Sequence, residues 1–465
     1  MTIASINPAT GETIAVFAEM SAADVEGALA RAAEASCELR HTSFDQRRAW
    51  MMESVRLLAM EKEEVARTIT EEMGKPIGAA REEVSKCVHC MTYYAEHAEQ
   101  LLADESADAY AVGATRAFAR YQPLGVVLGV MPWNFPFWQA VRFAAPALMA
   151  GNAGLLKHAS NVPRTARRLG ELFGRAGFPS GSFQTLLIEV EGVEHVLRDR
   201  RVAAVTLTGS EAAGAAVAAI AGSVIKPSVL ELGGSDPFIV MPSAQVARAA
   251  VVGATARCQN SGQSCIAAKR FIVHDAVADE FEHEFVGAMS RLKVGDPMDE
   301  ATEIGPLATH SALEAVEKLV ADSRAQGANV LCGGRRREGS GWFYPPTVVS
   351  GVTPRMRLWR EEVFGPVASV YRVGGIDEAV ELANGTDFGL GASVWTEDRT
   401  ERQRFVDDLE AGAVFVNGMV RSYPELPFGG VKHSGYGREL SAHGIRAFCN
   451  LKSVWVLDEA DAGTF

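Results

Sequence analysis

Gly125-Val126-Val127-Leu128-Gly129-Val130-Met131, followed at once by Pro132-Trp133-Asn134-Phe135-Pro136, decides the fold. An uncharged apolar run of this length reads as a strand buried on both faces, the pattern of a parallel sheet rather than a half-solvated one. The stretch from about 139 to 150 then reads as a helix. The same alternation recurs downstream. Gly154-Leu155-Leu156-Lys157 precedes a helix over 163–174, and Val202-Ala203-Ala204-Val205-Thr206-Leu207 precedes one from about 212. Short apolar strands alternating with helices predict an α/β chain with a doubly wound, mostly parallel sheet.

A second set begins near Pro237-Phe238-Ile239-Val240 and continues through Phe271-Ile272-Val273, Ala328-Asn329-Val330-Leu331 and Val367-Ala368-Ser369-Val370. Upstream, Asn7-Pro8-Ala9-Thr10-Gly11-Glu12 reads as a turn between two short strands. Residues 21–102 read as helices, with Val55, Leu58, Val65 and Ile69 on one face and a break at Gly74-Lys75-Pro76. Over 107–121 the pattern alternates with β-prone residues such as Tyr110, Val112, Phe118 and Tyr121. This predicts a hairpin outside the main sheet, an arm toward a neighbouring subunit. The final run Ser453-Val454-Trp455-Val456-Leu457 is a partner for it.

Composition narrows the function. The chain has 465 residues, 48% hydrophobic and 22% charged, as an ordinary globular enzyme of several domains would. A net charge of −13 argues against nucleic acid or an anionic membrane as the primary partner. The N-terminus lacks a basic segment and a sustained apolar run, and seven cysteines suit a reducing cytosol, so a cytoplasmic location is expected. Cys87-Val88-His89-Cys90 has no second ligand pair at matched spacing and no preceding strand, so it reads as part of a helix, and no metal site is expected.

In an open α/β sheet, ligands bind beyond the carboxyl ends of the strands. Asn134 stands beyond Met131, where its amide can donate to an oxyanion. Lys157 ends its strand, with Ser160 just after. Leu207 runs into Thr208-Gly209-Ser210, a helix N-terminus that offers N–H groups to a pyrophosphate, although G-x-G-x-x-G is absent. Glu231, in Val229-Leu230-Glu231-Leu232-Gly233-Gly234, has the apolar setting that raises a carboxyl toward neutrality and suits it to general-base work. In Gln259-Asn260-Ser261-Gly262-Gln263-Ser264-Cys265, small and amide residues leave room for a tight turn that faces a thiol into a cavity.

Trp133-Asn134-Phe135-Pro136, Glu231-Leu232-Gly233-Gly234, Gly262-Gln263-Ser264-Cys265, Glu361-Glu362-Val363-Phe364-Gly365-Pro366 and Pro427-Phe428-Gly429-Gly430-Val431-Lys432 occur in one order along the chain. In this the chain resembles aldehyde dehydrogenases from Asn7 to Leu457, and is most like bacterial succinate-semialdehyde dehydrogenases. The resemblance implies a Rossmann-like cofactor domain (1–104 and 124–233), an α/β catalytic domain (234–445) and a small β oligomerisation arm (105–123 and 446–465). It implies that Cys265 attacks the aldehyde, that Asn134 and the Cys265 N–H hold the oxyanion, and that hydride leaves to the nicotinamide. Glu231 then activates water to hydrolyse the thioester. Met131, Pro132, Trp133, Lys157, Ser160, Gly209, Ser210, Gly233, Glu362 and Phe364 fall at cofactor-binding positions.

NAD-specific relatives often carry a Glu where this chain has Ser160. A hydroxyl there accepts a 2′-phosphate that a carboxylate would repel, so NADP is the expected cofactor, with NAD tolerated. Arg142 and Ser422 match positions that hold a distal carboxylate in semialdehyde-oxidising relatives. Gln259 stands where some relatives have a second Arg, and Arg421 is its substitute. The expected reaction is oxidation of succinate semialdehyde by a homodimer or homotetramer. Glutarate-semialdehyde or broad-specificity oxidation are the alternatives. A CoA-acylating enzyme would avoid a hydrolytic base such as Glu231, and a non-catalytic member would have lost Cys265, Glu231 or Asn134.

Overall fold

The computed structural model describes residues 3–458; positions 1–2 and 459–465, the last seven of the expected arm, lie outside the described residues. The run that opens the sequence reading is the strand Val126–Met131, in the interior of a six-stranded sheet. From edge to edge the order is Gly435–Tyr436, Ser228–Glu231, Val202–Thr208, Val126–Met131, Ala153–His158 and Phe183–Thr185, all parallel except the first. The helix Trp138–Ala150, every residue of which is buried, packs on it and explains that segment's lack of a polar face. Three of these strands were not anticipated as such, Phe183–Thr185, Ser228–Glu231 and Gly435–Tyr436. They are two to four residues long, too short for a periodicity signal.

A second sheet has seven strands in the order Asn329–Cys332, Thr347–Ser350, Val367–Val373, Arg270–His274, Pro237–Val240, Gly391–Trp395 and Ala413–Val416, with only the first antiparallel. Together the two sheets and their helices form the α/β architecture that the alternation predicts. The terminal strand Cys449–Val456 pairs along its whole length with Arg116–Pro123, as anticipated, and Glu105–Ser106 adds a third strand. Between them Tyr110–Val112 is a single 3₁₀ turn rather than a strand. Asp108 Oδ1 accepts the Ala111 N–H (3.2 Å) and ends extended backbone there.

The helical region also differs in detail from expectation. Val55 and Leu58 belong to the helix Phe44–Met60 and Val65 and Ile69 to Lys62–Met73, so the shared face crosses a break at Glu61. In the next helix, Ile77–Leu101, Cys87 and Cys90 are buried, and burial pushes both thiols up. Among the described residues no cluster fit to hold a metal ion occurs, and no helix is long and apolar enough to cross a membrane.

One contact of this helix positions the loop before Trp138–Ala150. Glu83 Oε1 accepts the N–H groups of Phe137 (2.9 Å) and Trp138 (3.0 Å), capping the incoming helix, while its other oxygen pairs with buried Lys75. Lys75 Nζ also lies 3.8 Å from the centre of the Phe135 ring. Glu83→Ala strands Lys75 in the core and should cost about 3–5 kcal/mol, read as a lower urea midpoint. Replacing both partners by apolar residues (Lys75→Met with Glu83→Leu) should recover most of that loss.

Candidate active site

Parallel strands in register bring their carboxyl ends to one edge. Val130 faces Lys157 and Leu207, Met131 faces His158, and Thr208 faces Glu231. The loop that carries Trp133 and Asn134 leaves from the same edge. Sequence reasoning located these residues one by one, and the register is what makes them neighbours.

The cysteine comes from the other side of the cleft. The helix Val246–Cys258 ends and the chain turns through three consecutive left-handed residues, Asn260 (φ 52°), Ser261 (φ 55°) and Gly262 (φ 77°). Two of these are not glycine, a costly conformation that persists only where the surroundings over-determine it. Asn260 Nδ2 donates to the carbonyls of Asn134 (2.7 Å) and Gln263 (3.1 Å), and Ser261 Oγ accepts the Gly305 N–H (3.0 Å). Arg257 donates to the Gly262 carbonyl (2.6 Å), and a Cβ on Gly262 would lie 2.3 Å from the Gly365 carbonyl carbon. Asn134 Nδ2 donates to Gln263 O at 3.1 Å, which occupies one of its two N–H groups and leaves one for a ligand.

Cys265 is half-buried on a cavity of about 350 Å³. Burial pushes its thiol up to about 12, with Glu231 adding to the rise and Arg142 opposing it. Glu231 is fully buried, and neither carboxyl oxygen makes a hydrogen bond of ordinary geometry. Burial pushes it up to about 8, against the pull of Arg142 and Arg438 and with the push of Glu439. A thiol, a primary amide and a carboxyl poised near neutrality are the parts that acyl transfer to water requires.

The Aldehyde dehydrogenase family model matches residues 1–454. The chain belongs to the aldehyde dehydrogenase family. It is 62% identical over 457 residues to a succinate-semialdehyde dehydrogenase [NADP(+)] of Mycobacterium avium, covering 98% of this chain and 97% of that one. Succinate-semialdehyde dehydrogenase [NADP(+)] 1 of Mycobacterium tuberculosis is 60% identical over 456 residues, 98% of this chain and all of the relative. The crystal structure of succinic semialdehyde dehydrogenase from Streptococcus pyogenes in complex with NADP+ superposes with a TM-score of 0.95 at 35% identity, covering 98% of this chain and 100% of that one.

In this aldehyde dehydrogenase the residues expected to hold the cofactor lie at or just beyond the shared strand edge, except Glu362 and Phe364, which precede Val367–Val373 of the second sheet. Lys157 is buried without a close ion pair among the described residues; burial lowers its pKa, and Glu189 and Glu191 act on it only at longer range. Ser160 is exposed beside it. Ser210 caps the helix Glu211–Ser223, its Oγ accepting the Ala213 N–H, and the Gly209 N–H donates to Glu231 O (2.9 Å). Glu362 accepts the Gly234 N–H (3.1 Å) and lies 3.3 Å from Lys269 Nζ. A Cβ on Gly233 would sit 2.5 Å from Glu362 Oε2, so only glycine leaves that carboxylate its place. Phe364 meets Trp133 edge to face at 5.8 Å, next to Met131 and Pro132.

The four expected substrate residues, Arg142, Gln259, Arg421 and Ser422, all line the cavity. In the structure Arg142 is not a free cation. Its Nε lies 2.5 Å from Glu439 Oε2, another guanidinium nitrogen donates to Thr208 Oγ1 (3.2 Å), and its group covers the Phe428 ring at 4.7 Å. Its charge is already balanced. Gln259 is neutral and half-buried, Arg421 is exposed, and Ser422 is buried.

Sequence reasoning missed Glu439, Glu83, Lys75, Lys86 and Lys269. Glu439 and Lys86 have partners far along the chain, Lys75 and Glu83 pair across a helix break eight residues apart, and Lys269 Nζ donates to the nearby carbonyls of Ser264 (3.1 Å) and Cys265 (2.8 Å). The Gly437-Arg438-Glu439 segment after the last motif was the one available hint. Arg142→Met leaves Glu439 buried and unpaired, so the variant should lose about 3–5 kcal/mol of stability, measured by denaturant titration. Wild-type stability together with a defect confined to acidic aldehydes would instead mark Arg142 as a free cation.

Proposed function

We propose that this chain oxidises succinate semialdehyde to succinate with NADP, with Cys265 as nucleophile, Asn134 as oxyanion donor and Glu231 as base. The observation that carries the reading is that Asn134 is hydrogen-bonded to the turn that presents Cys265 (Nδ2 to Gln263 O, 3.1 Å), with Glu231 near enough to raise the thiol and itself poised near neutrality. The activity and cofactor named for the mycobacterial relatives support the substrate and NADP, given identity near 60% over nearly the full length. NADP, when bound, supplies the hydride acceptor. The chain's own residues do the rest. Cys265 Sγ adds to the aldehyde carbon, and the N–H of Asn134 not taken by Gln263 meets the developing oxyanion. Such a donor is worth about 3–4 kcal/mol in comparable sites. Glu231 takes the proton of the water that frees the acid.

Lys157, Ser160, Gly209, Ser210, Gly233, Glu362 and Phe364, with Met131, Pro132 and Trp133, are the proposed cofactor residues. Residues 1–104 and 124–233 are the proposed cofactor domain and 234–445 the catalytic one. The three-stranded sheet of 105–123 and the terminal strand supports a homodimer or homotetramer, and free cysteines support a cytoplasmic setting.

A base must be ionised to act, so turnover should rise with pH through about 8 and lose that limb in Glu231→Gln. The measurement is kcat against pH for the wild type and the variant. A flat profile in the wild type would remove Glu231 as the base. Ser160→Glu places a carboxylate where Lys157 and the hydroxyl would meet a 2′-phosphate. NADP-linked kcat/KM should fall by roughly 10- to 100-fold, the range of about 1.5–3 kcal/mol for charge-assisted contacts, while NAD-linked turnover persists. Equal loss with both cofactors would refute the assignment of Ser160.

A further inference from the structure

The cavity beside Cys265 has four cations on its wall, and three are spoken for or turned to water. Lys75 pairs with Glu83 and Arg142 with Glu439, while Arg421 is exposed at the mouth. The fourth is Lys86, on the helix Ile77–Leu101. Its Nζ donates to Ser422 Oγ at 2.7 Å and lies 4.2 Å from the centre of the Trp138 ring. No ion pair of Lys86 occurs among the described residues. The nearby acids do not complete it: Glu83 is held by Lys75 and two backbone N–H groups, Glu303 accepts the Lys293 N–H (2.9 Å), and Glu82 and Glu303 are exposed.

We infer that Lys86, with Ser422, binds the distal carboxylate of the substrate. This rests on the semialdehyde reading above. A half-buried ammonium that has only a hydroxyl and an aromatic face as partners is an incomplete site for an anion. Its surroundings already express the missing charge, because burial together with Arg142 lowers the Lys86 pKa to about 8. A carboxylate placed there gains a charge-assisted contact with Nζ and a donor from the Ser422 hydroxyl. The aldehyde end of the same molecule reaches Cys265 across the cavity. Arg142 then serves the site as the counter-ion of Glu439 rather than as the anchor.

The test compares succinate semialdehyde with butanal, its uncharged counterpart of equal carbon number, at saturating NADP on wild type, Lys86→Met, Lys86→Arg and Arg421→Met. Charge-assisted contacts contribute about 1.5–3 kcal/mol, or roughly 10- to 100-fold. Lys86→Met should raise KM for succinate semialdehyde by that factor and leave kcat/KM for butanal unchanged, and Lys86→Arg should recover part of the loss. Butanal turnover reports that each variant is folded, and Lys86→Gln serves if the methionine variant is not. A preference retained in Lys86→Met, equal losses on both aldehydes, or a loss found in Arg421→Met instead would overturn the assignment. A wild type that oxidises butanal as efficiently as succinate semialdehyde would instead sink the semialdehyde reading, and this one with it.

Discussion

The hydrogen bond from Asn260 Nδ2 to the Asn134 carbonyl (2.7 Å) ties together two loops that arise from different sheets. One loop follows the strand Val126–Met131, and the other follows the helix Val246–Cys258. Nothing in either sheet's own ladder sets their separation. Asn134 Nδ2 returns a bond to Gln263 O, and Gln263 Oε1 accepts the Ala308 N–H (2.9 Å), so a third segment joins the knot. The left-handed turn at Asn260 and Ser261 is the strain that this knot sustains. The thiol and the amide are thus held to a common geometry by Asn260 and Gln263, which have no part in the proposed chemistry, and by one N–H of Asn134 itself.

Around that knot the charges are arranged in buried pairs: Lys75 with Glu83, Arg142 with Glu439, Lys269 with Glu362. Buried pairs add little net stability but are expensive to break, so each fixes its two elements relative to one another. The proposed base and the proposed nucleophile are left out of the pairing. Glu231 and Cys265 are neutral together below about pH 8, because burial opposes charge on both. Arg142 and Lys269 pull the thiol downward without overcoming burial.

The strand ends were legible in the sequence because doubly buried strands are continuous apolar runs, and the first polar residue after each marks the sheet's working edge. Asn134 and Lys157 could be found that way, whereas Glu231 and Cys265 stood out by their apolar and small-residue surroundings. Lys86 could not. On its own helix it shares the polar face with Glu82, Ser85 and His89, and its hydrogen-bond partner Ser422 lies 336 positions away. Arg142 lines the cavity, but its pairing with Glu439 could not be foreseen, since Glu439 comes from the far end of the chain. The turn at Tyr110–Val112 imitated a strand because three alternating residues satisfy either pattern.

The proposed base owes its raised pKa to that same late segment. Gly435–Tyr436 adds antiparallel to Ser228–Glu231, with Gly435 opposite Glu231 itself. The residues that lead into and out of this short strand close over the carboxyl: Phe428 lies against Arg142, the Gly429 backbone approaches Glu231 Oε1, and Glu439 takes the Arg142 charge. Without them Glu231 would end a sheet-edge strand open to water, with an ordinary carboxyl pKa. The desolvation that lifts it toward 8 is therefore made when the chain beyond Gly418 folds back onto the first sheet. General-base capacity is a property of that docking, not of the strand on which Glu231 stands.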